Sequence, residues 1–361
     1  MPDEVIAAVD QVSADWLTAV LTNSGALTAG EVAGFEVLPD RGNWSTNARL
    51  KLSYREGAQG ARPERLFLKM TNTDLGDEFF DSSEVAYYRR DYVDVPAAPL
   101  VRCYDAAYSE EQQRYHLLLD DVSETHIPAF EKAPTLAYGL ALAEGLAALH
   151  ARWWGAKGVQ AASAPIHDAA HILRFVEFGA AGVAPILAQF STELRAHWQT
   201  LIKEIYVHHP QAIIARTADA SGFTLIHGDA GPYNILVPRE GDRPIYIIDR
   251  QPFDWSLTTW LGVYDLVYAI VLDWDAEVRR RLERPVLAHY HEQLIQQGVT
   301  GYTWEQLLID YRLCAPMGVY VATEYCRGGA NERGTFPWLP MLQRSLTACD
   351  DLRCTELWQI T

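Results

Sequence analysis

The sequence predicts an α+β chain built as two lobes, a small β-rich one over residues 1–119 and a larger helical one over residues 120–361. Three observations predict it. The chain has 361 residues, too long for one ordinary core and comfortable for two. Up to about residue 120 the apolar residues fall in short strand-like runs, whereas beyond it they recur mostly at helical spacing. The change is abrupt: the apolar run 115–119 ends in Asp120 and Asp121, and the next strongly patterned segment, 136–154, is a helix rich in Ala and Leu.

Taken in order, Ser13 is placed to cap a short helix over 14–21 whose Trp16, Leu17, Val20 and Leu21 share a face. The runs 35–38, 48–54 and 66–70 read as successive strands, separated by Gly/Asn-rich and Gly/Pro/Arg-rich connections. Asp81 or Ser82 opens a helix that carries Glu84, Val85, Tyr87 and Tyr88. In the second lobe, short strands interrupt the helices near 223–249, and helices resume from about 261 to the end. There is no internal repeat and no low-complexity tract.

Composition excludes several classes. With 49% hydrophobic and 21% charged residues the chain can bury real cores. A net charge of −17 argues against a nucleic-acid partner and reads as a solvated acidic surface. The five cysteines, Cys103, Cys314, Cys326, Cys349 and Cys354, are odd in number and form no C-x-x-C pair, so neither a disulfide framework nor a zinc site is expected. The acidic start (Asp3, Glu4) is unlike a secretory signal, and no apolar run is read as membrane-spanning. The expectation is a cytoplasmic protein with no membrane partner.

Chemistry concentrates in the stretch 223–237, FTLIHGDAGPYNILV, followed by PIYIID at 244–249. The runs 223–226, 234–237 and 245–248 have strand length. Gly241 and Asp242 suit a two-residue hairpin turn, which would set Glu240 opposite Arg243 and Asn234 opposite Asp249. An amide oxygen and a carboxylate would then converge at the open end of the hairpin, the hard donors that Mg²⁺ takes when nucleotide phosphates also hold it. Asp229, on the loop five residues before Asn234, is placed to accept a substrate hydroxyl proton, and His227 to anchor that loop. H-x-D-x-x-x-x-N followed by a strand ending in Asp is the order of a kinase catalytic loop and metal-binding segment.

These residues resemble the catalytic core of the aminoglycoside phosphotransferase and choline kinase superfamily. The resemblance runs over about 35–350 and implies a bilobal protein-kinase-like fold. It implies Asp229 as catalytic base and Asn234 and Asp249 as magnesium ligands. Asp265, in WLGVYDL at 260–266, would buttress the catalytic loop. The stretches EVAYYR at 84–89 and LAALHARW at 146–153 look most like the choline-kinase-like group that includes ecdysteroid-kinase-like proteins. Where such proteins carry an aromatic residue after the metal-binding Asp, this chain has Arg250, which could approach phosphate or pair with a carboxylate.

The first lobe supplies the nucleotide side of that reading. Lys69 ends a strand from which it could reach the α- and β-phosphates of ATP, and Glu84 follows on the next helix to pair with it. The turn 41–47, RGNWSTN, lacks G-x-G-x-x-G, yet Gly42, Ser45 and Thr46 would let backbone amides approach phosphate. The run 117–121 resembles an inter-lobe hinge, with Leu119 and Asp120 beside adenine.

The expected activity is ATP- and Mg²⁺-dependent phosphorylation of a small-molecule hydroxyl, with an amino alcohol, a sugar or aminoglycoside-like compound and a steroid-like alcohol all open. The alternative is a nucleotide-binding pseudo-enzyme. A metal-dependent hydrolase using His227 and Asp229 lacks further ligands at fitting spacing. The short interval between Asp249 and the 260–265 motif leaves little room for a peptide platform. His208 and His209 read as capping a helix end before Pro210, His289 and His291 face different directions, and His150, Trp153 and Trp154 read as core. Trp255, Trp260 and Trp274, near Asp254, Asp273 and Asp275, read as packing that could also hold an ammonium group.

Overall fold

The computed structural model describes residues 5–41, 45–71, 81–162, 164, 166–251, 253, 255–330 and 338–358. α1 (Ala14–Asn23) starts where Ser13 accepts the Trp16 amide at 3.1 Å, and it buries Leu17, Val20 and Leu21. There follow β1 (Leu27–Ala29), β2 (Val32–Arg41), β3 (Ser45–Tyr54), β4 (Gln59–Gly60) and β5 (Arg65–Thr71). The short α2 (Ser83–Ala86) continues as a π-helical turn, Tyr87–Asp91, before β6 (Cys103–Ser109) and β7 (Arg114–Asp120). Among the described residues, β2, β3, β5, β7 and β6 form one antiparallel sheet in that order.

Strand alternation gives this sheet two different faces. Ala48, Leu50 and Leu52 of β3, with Leu66, Leu68 and Met70 of β5, pack against α1 in a core of their own. The intervening Ser45, Asn47, Arg49, Phe67 and Lys69 point the other way and line a cleft. β7 serves both sides, with Leu118 in the α1 core and Tyr115, Leu117 and Leu119 in the core that runs on into the second lobe.

The second lobe continues with β8 (His126–Pro128), α3 (Leu136–Arg152), α4 (Gly155–Ala161), α5 (Ala169–Ala180), α6 (Val183–Gln189) and α7 (Ala196–Arg216). Four short strands, β9 (Phe223–Leu225), β10 (Ile235–Pro238), β11 (Tyr246–Ile247) and β12 (Thr259–Leu261), flank the H-x-D-x-x-x-x-N segment and Asp249. The helices α8 (Val263–Val271), α9 (Ala276–Gln296), α10 (Trp304–Cys314), α11 (Met317–Glu324) and α12 (Trp338–Asp351) complete the lobe. β11, β10 and β8 pair antiparallel, as do β12 and β9, so the hairpin is bolted to the segment that leaves the first lobe.

Two expectations are corrected. α7 does not end before Pro210 but runs through it. A proline inside a helix forfeits a hydrogen bond at a cost of about 3 kcal/mol. Burial outweighs it here: Ile205, Pro210 and Ile213 are in the core, and His209 donates to Leu313 O at 2.8 Å and accepts from the Tyr320 hydroxyl at 2.8 Å. The second correction concerns the segment Ala169–Gln189, which is apolar enough by length and composition to cross a membrane. It is two helices, α5 and α6, broken at Ala181 and Gly182, and Ile172, Phe175, Val176 and Ile186 are buried in the lobe's core. A β-carbon on Gly182 would fall 1.9 Å from Thr323 O, so the break is where the chain turns against α11.

Candidate active site

The loop that begins at His227 is held from below by one carboxylate. Asp265, at the start of α8, accepts the His227 amide at 2.7 Å and the Gly228 amide at 2.9 Å. It also accepts from His150 Nε2 at 3.0 Å, and His150 Nδ1 in turn accepts from the Tyr290 hydroxyl at 2.8 Å. Burial alone would raise the Asp265 carboxyl, but these donors outweigh it and hold it below the usual range. His150, read from sequence as core packing, is therefore both core and the support of Asp265. Its partners lie 115 and 140 residues away, which local spacing does not reveal.

His227 donates from Nε2 to Ile248 O at 2.9 Å and accepts the Asp229 amide at Nδ1, at 3.3 Å. Burial pushes its pKa down to about 4, so it is a neutral tie between the loop and the residue that follows β11. Asp229 follows, partly buried at the cleft floor. Asn234 Nδ2 donates to its carbonyl and to Oδ2, both at 2.9 Å. Desolvation, resisted by these bonds and reinforced by the nearby Asp249 charge, raises the Asp229 carboxyl to about 7.

The hairpin register departs from the expected one. Ile235 pairs with Ile247 and Leu236 with Tyr246, and Ile248 N donates to Asn234 O at 2.9 Å, so Asn234 lies opposite Ile248. β10 stops at Pro238 and β11 starts at Tyr246, so the connection 239–245, which holds Gly241 (φ 74°), has an odd number of residues where a two-residue turn would have an even number. Asp249 still arrives in the cleft, because its backbone turns left-handed at φ 59° just past the strand. Its Oδ1 lies 2.9 Å from Lys69 Nζ.

Lys69 also meets both oxygens of Glu84, at 2.9 and 2.8 Å, and the Tyr115 hydroxyl donates to that carboxylate. Burial would lower the Lys69 pKa, but the Asp249 and Glu84 charges prevail and keep the ammonium protonated. The π-helical turn after α2 brings Tyr87 edge-on to His227, 5.8 Å between ring centres, and carries Asp91 under Arg250. Arg250 Nη1 pairs with Asp91 Oδ2 at 2.9 Å, both buried. Of the two roles open to Arg250 from sequence, the structure shows the carboxylate pairing.

All of this opens onto one cleft of about 1030 Å³ between the sheet and the helical lobe. Ser45, Leu119 and Asp120 line it, whereas Thr46 does not, because strand alternation turns its side chain to the opposite face. Gly42 lies outside the described residues. Trp255 and Asp273 line the far end, while Trp260 and Trp274 are buried, Asp275 bonds Arg344 at 2.8 Å, and Asp254 lies outside the described residues. His289 and His291 bond separately, to Glu144 and to Tyr302 O. Among the described residues no three His, Cys, Asp or Glu side chains gather as a metal cage.

No protein-family model and no curated protein matches the sequence. Solved structures match its fold along nearly the whole chain. A choline kinase from Cryptosporidium parvum is similar at TM-score 0.59 and 10% identity, covering 96% of this chain and 98% of the other. A Plasmodium vivax ethanolamine kinase is similar at TM-score 0.54 and 10% identity, covering 90% and 83%. A spectinomycin phosphotransferase, solved with ADP and spectinomycin, is similar at TM-score 0.54 and 11% identity, covering 95% and 99%. The chain thus has the α+β, two-lobed kinase-like fold seen in choline kinase and aminoglycoside phosphotransferase structures.

Proposed function

We propose that the chain is an ATP- and magnesium-dependent phosphotransferase acting on a hydroxyl group of a small molecule. One observation carries the reading. Lys69, paired with the buried Glu84 of the first lobe, and Asp229, Asn234 and Asp249 of the second line one cleft, although Lys69 and Asp249 are 180 residues apart. A chain relieved of catalysis has no chemical need for the whole set, which argues against a pseudo-enzyme.

In this reading residues 1–119 bind the nucleotide and residues 120–361 supply the chemistry and the acceptor site. Lys69, fixed by Glu84, grips the phosphates, and the hinge backbone at Leu119 and Asp120 meets the base. The loop around Gly42, Ser45 and Thr46 covers the phosphates, Thr46 through its backbone. Asn234 and Asp249 offer an amide and a carboxylate oxygen at the cleft, a hard but incomplete donor set that fits Mg²⁺ sharing its coordination with phosphate oxygens. When bound there, Mg²⁺ supplies neutralisation of charge on the transferring phosphoryl group. Asp229 orients the acceptor hydroxyl and takes its proton, with His227 and Asp265 holding the loop. Asp273 and Trp255 both line the cleft, a carboxylate and an aromatic face that favour an acceptor bearing a protonated amine. A cytoplasmic site of action fits the five free thiols, and the acidic surface fits a small-molecule partner over a nucleic acid.

The test is Mg·ATP consumption with mass-spectrometric detection of product across pools of amino alcohols, sugars, aminoglycosides, nucleosides and sterols, with Asp229→Asn alongside. Product formed by the wild type and lost in the variant supports the reading and names the acceptor. Failure to bind ATP in the presence of magnesium sinks it.

A further inference from the structure

Asp249 enters the cleft on a strained backbone. Its φ of 59° lies in the left-handed region, which costs roughly 1–2 kcal/mol and persists only where the surroundings fix it. Just before it Ile248 N donates to Asn234 O at 2.9 Å, and just after it Gln251 N donates to His227 O at 3.1 Å. Between them Arg250 turns inward, with its side chain 4% exposed. Its Nη1 donates to Asp91 Oδ2 at 2.9 Å and, more loosely, to Ser83 O at 3.5 Å, while its Nε donates to Ile226 O at 3.3 Å.

One guanidinium thus meets two other segments. Ser83 and Asp91 stand on either side of Glu84 in the helical segment of the first lobe, and Ile226 leads into His227 and Asp229. Two more bonds, Ser83 Oγ to Gln251 O at 3.1 Å and the Tyr87 hydroxyl to Ile247 O at 3.3 Å, hold the same helical segment against 247–251. Stability alone does not account for the arginine, since a buried ion pair about breaks even against a packed apolar side chain. What the arginine supplies is direction. A planar fork whose nitrogens meet acceptors on different elements cannot turn without breaking a bond, whereas a lysine ends in a single nitrogen. With Arg250 fixed, the backbone that brings the Asp249 carboxylate 2.9 Å from Lys69 Nζ is fixed too.

On the phosphotransferase reading above, we infer that Arg250 is a positioning residue: by anchoring the backbone after Asp249 to both lobes, it holds that carboxylate ready to take Mg²⁺. It acts through Asp249.

The test titrates the full chain with ATP, with and without Mg²⁺, so no acceptor need be known. Arg250→Lys keeps a charge beside Asp91 and removes the fork. The expected result is that the gain in ATP affinity brought by magnesium shrinks by about tenfold, the scale of losing an outer partner of a metal ligand. Affinity for ATP without magnesium stays at the wild-type value. With no ligand present, the amides of 247–251 exchange their hydrogens faster in the variant. Asp91→Asn, which leaves Arg250 a carbonyl oxygen to bond, shows the same split and carries the test should Arg250→Lys fail to fold. An undiminished magnesium gain in the folded variant overturns the inference. So does an equal loss with and without magnesium, the mark of general damage, or unchanged exchange over 247–251. A wild-type chain that binds no ATP, or binds it no tighter with magnesium, overturns the phosphotransferase reading itself, and this inference with it.

Discussion

Arg250 and Asp91 form a buried ion pair, Nη1 to Oδ2 at 2.9 Å, across 159 residues of sequence. Arg250 follows Asp249 directly, and Asp91 ends the helical segment that carries Glu84, so the pair clamps the two carboxylates that meet Lys69 into one frame. The clamp is asymmetric, because Arg90 Nε also reaches Asp91, at 2.8 Å.

Asp91→Ala strands the Arg250 charge in the core, and breaking a buried pair in this way costs about 3–5 kcal/mol. Arg250→Met leaves Asp91 with Arg90 and costs less. Denaturant unfolding of both variants checks this, and equal losses would show that Arg90 does not compensate.

How legible this arrangement was from sequence depends on range. The cap at Ser13 and the strands β3 and β5 are local patterns, and the structure places them as spacing suggested. The Lys69–Glu84 pair was also readable, because a strand followed by a helix leaves few other partners. The register of the β10–β11 hairpin was not, since one residue of loop length shifts every pair and composition is silent on it. Nor were Asp91 and His150, whose partners are set by tertiary packing. Pro210 misled for the same reason: a local helix-breaking signal lost to burial around His209.

Lys69→Met should separate binding from folding. It removes the only side chain that bridges Glu84 and Asp249 among the described contacts, and with it the charge proposed to meet the phosphates. Loss of such a preorganised charge costs about 10²–10³ in kcat/KM for ATP. Tyr115 still bonds Glu84, so the fold is expected to persist, at a cost in stability for the carboxylate left without its cation. Far-UV circular dichroism matching wild type alongside unchanged turnover would remove Lys69 from the proposed site.

His209 gives the chain a specific acid sensitivity. Burial holds its pKa down to about 4, against 6.5 for an ordinary histidine. Above about pH 6.5 the ring is neutral in both folded and unfolded chains, and stability is unaffected. Between 6.5 and 4 only the unfolded chain takes up the proton, so stability falls by up to about 1.4 kcal/mol for each pH unit lowered. His209→Gln should unfold more easily at pH 8 and show a shallower decline toward pH 5. A decline identical to wild type would mean other groups carry the acid response.

Gly228 and Gly241 both sit at positive φ, 82° and 74°, and comparing them separates backbone strain from damage to the site. Alanine at either position pays about 1–2 kcal/mol for the left-handed conformation. At Gly241 the new β-carbon meets nothing within 4 Å, so the effect ends there and activity is unchanged. At Gly228 it falls 3.1 Å from Gln251 Cβ and 3.2 Å from Leu257 O, between His227 and Asp229, and pushes on the loop whose amide Asp265 holds. Gly228→Ala should therefore lose turnover well beyond its loss of stability while its affinity for ATP stays close to wild type. Thermal unfolding, ATP titration and turnover on both variants decide it. Equal activity in the two would mean that the loop geometry around Asp229 does not limit the reaction.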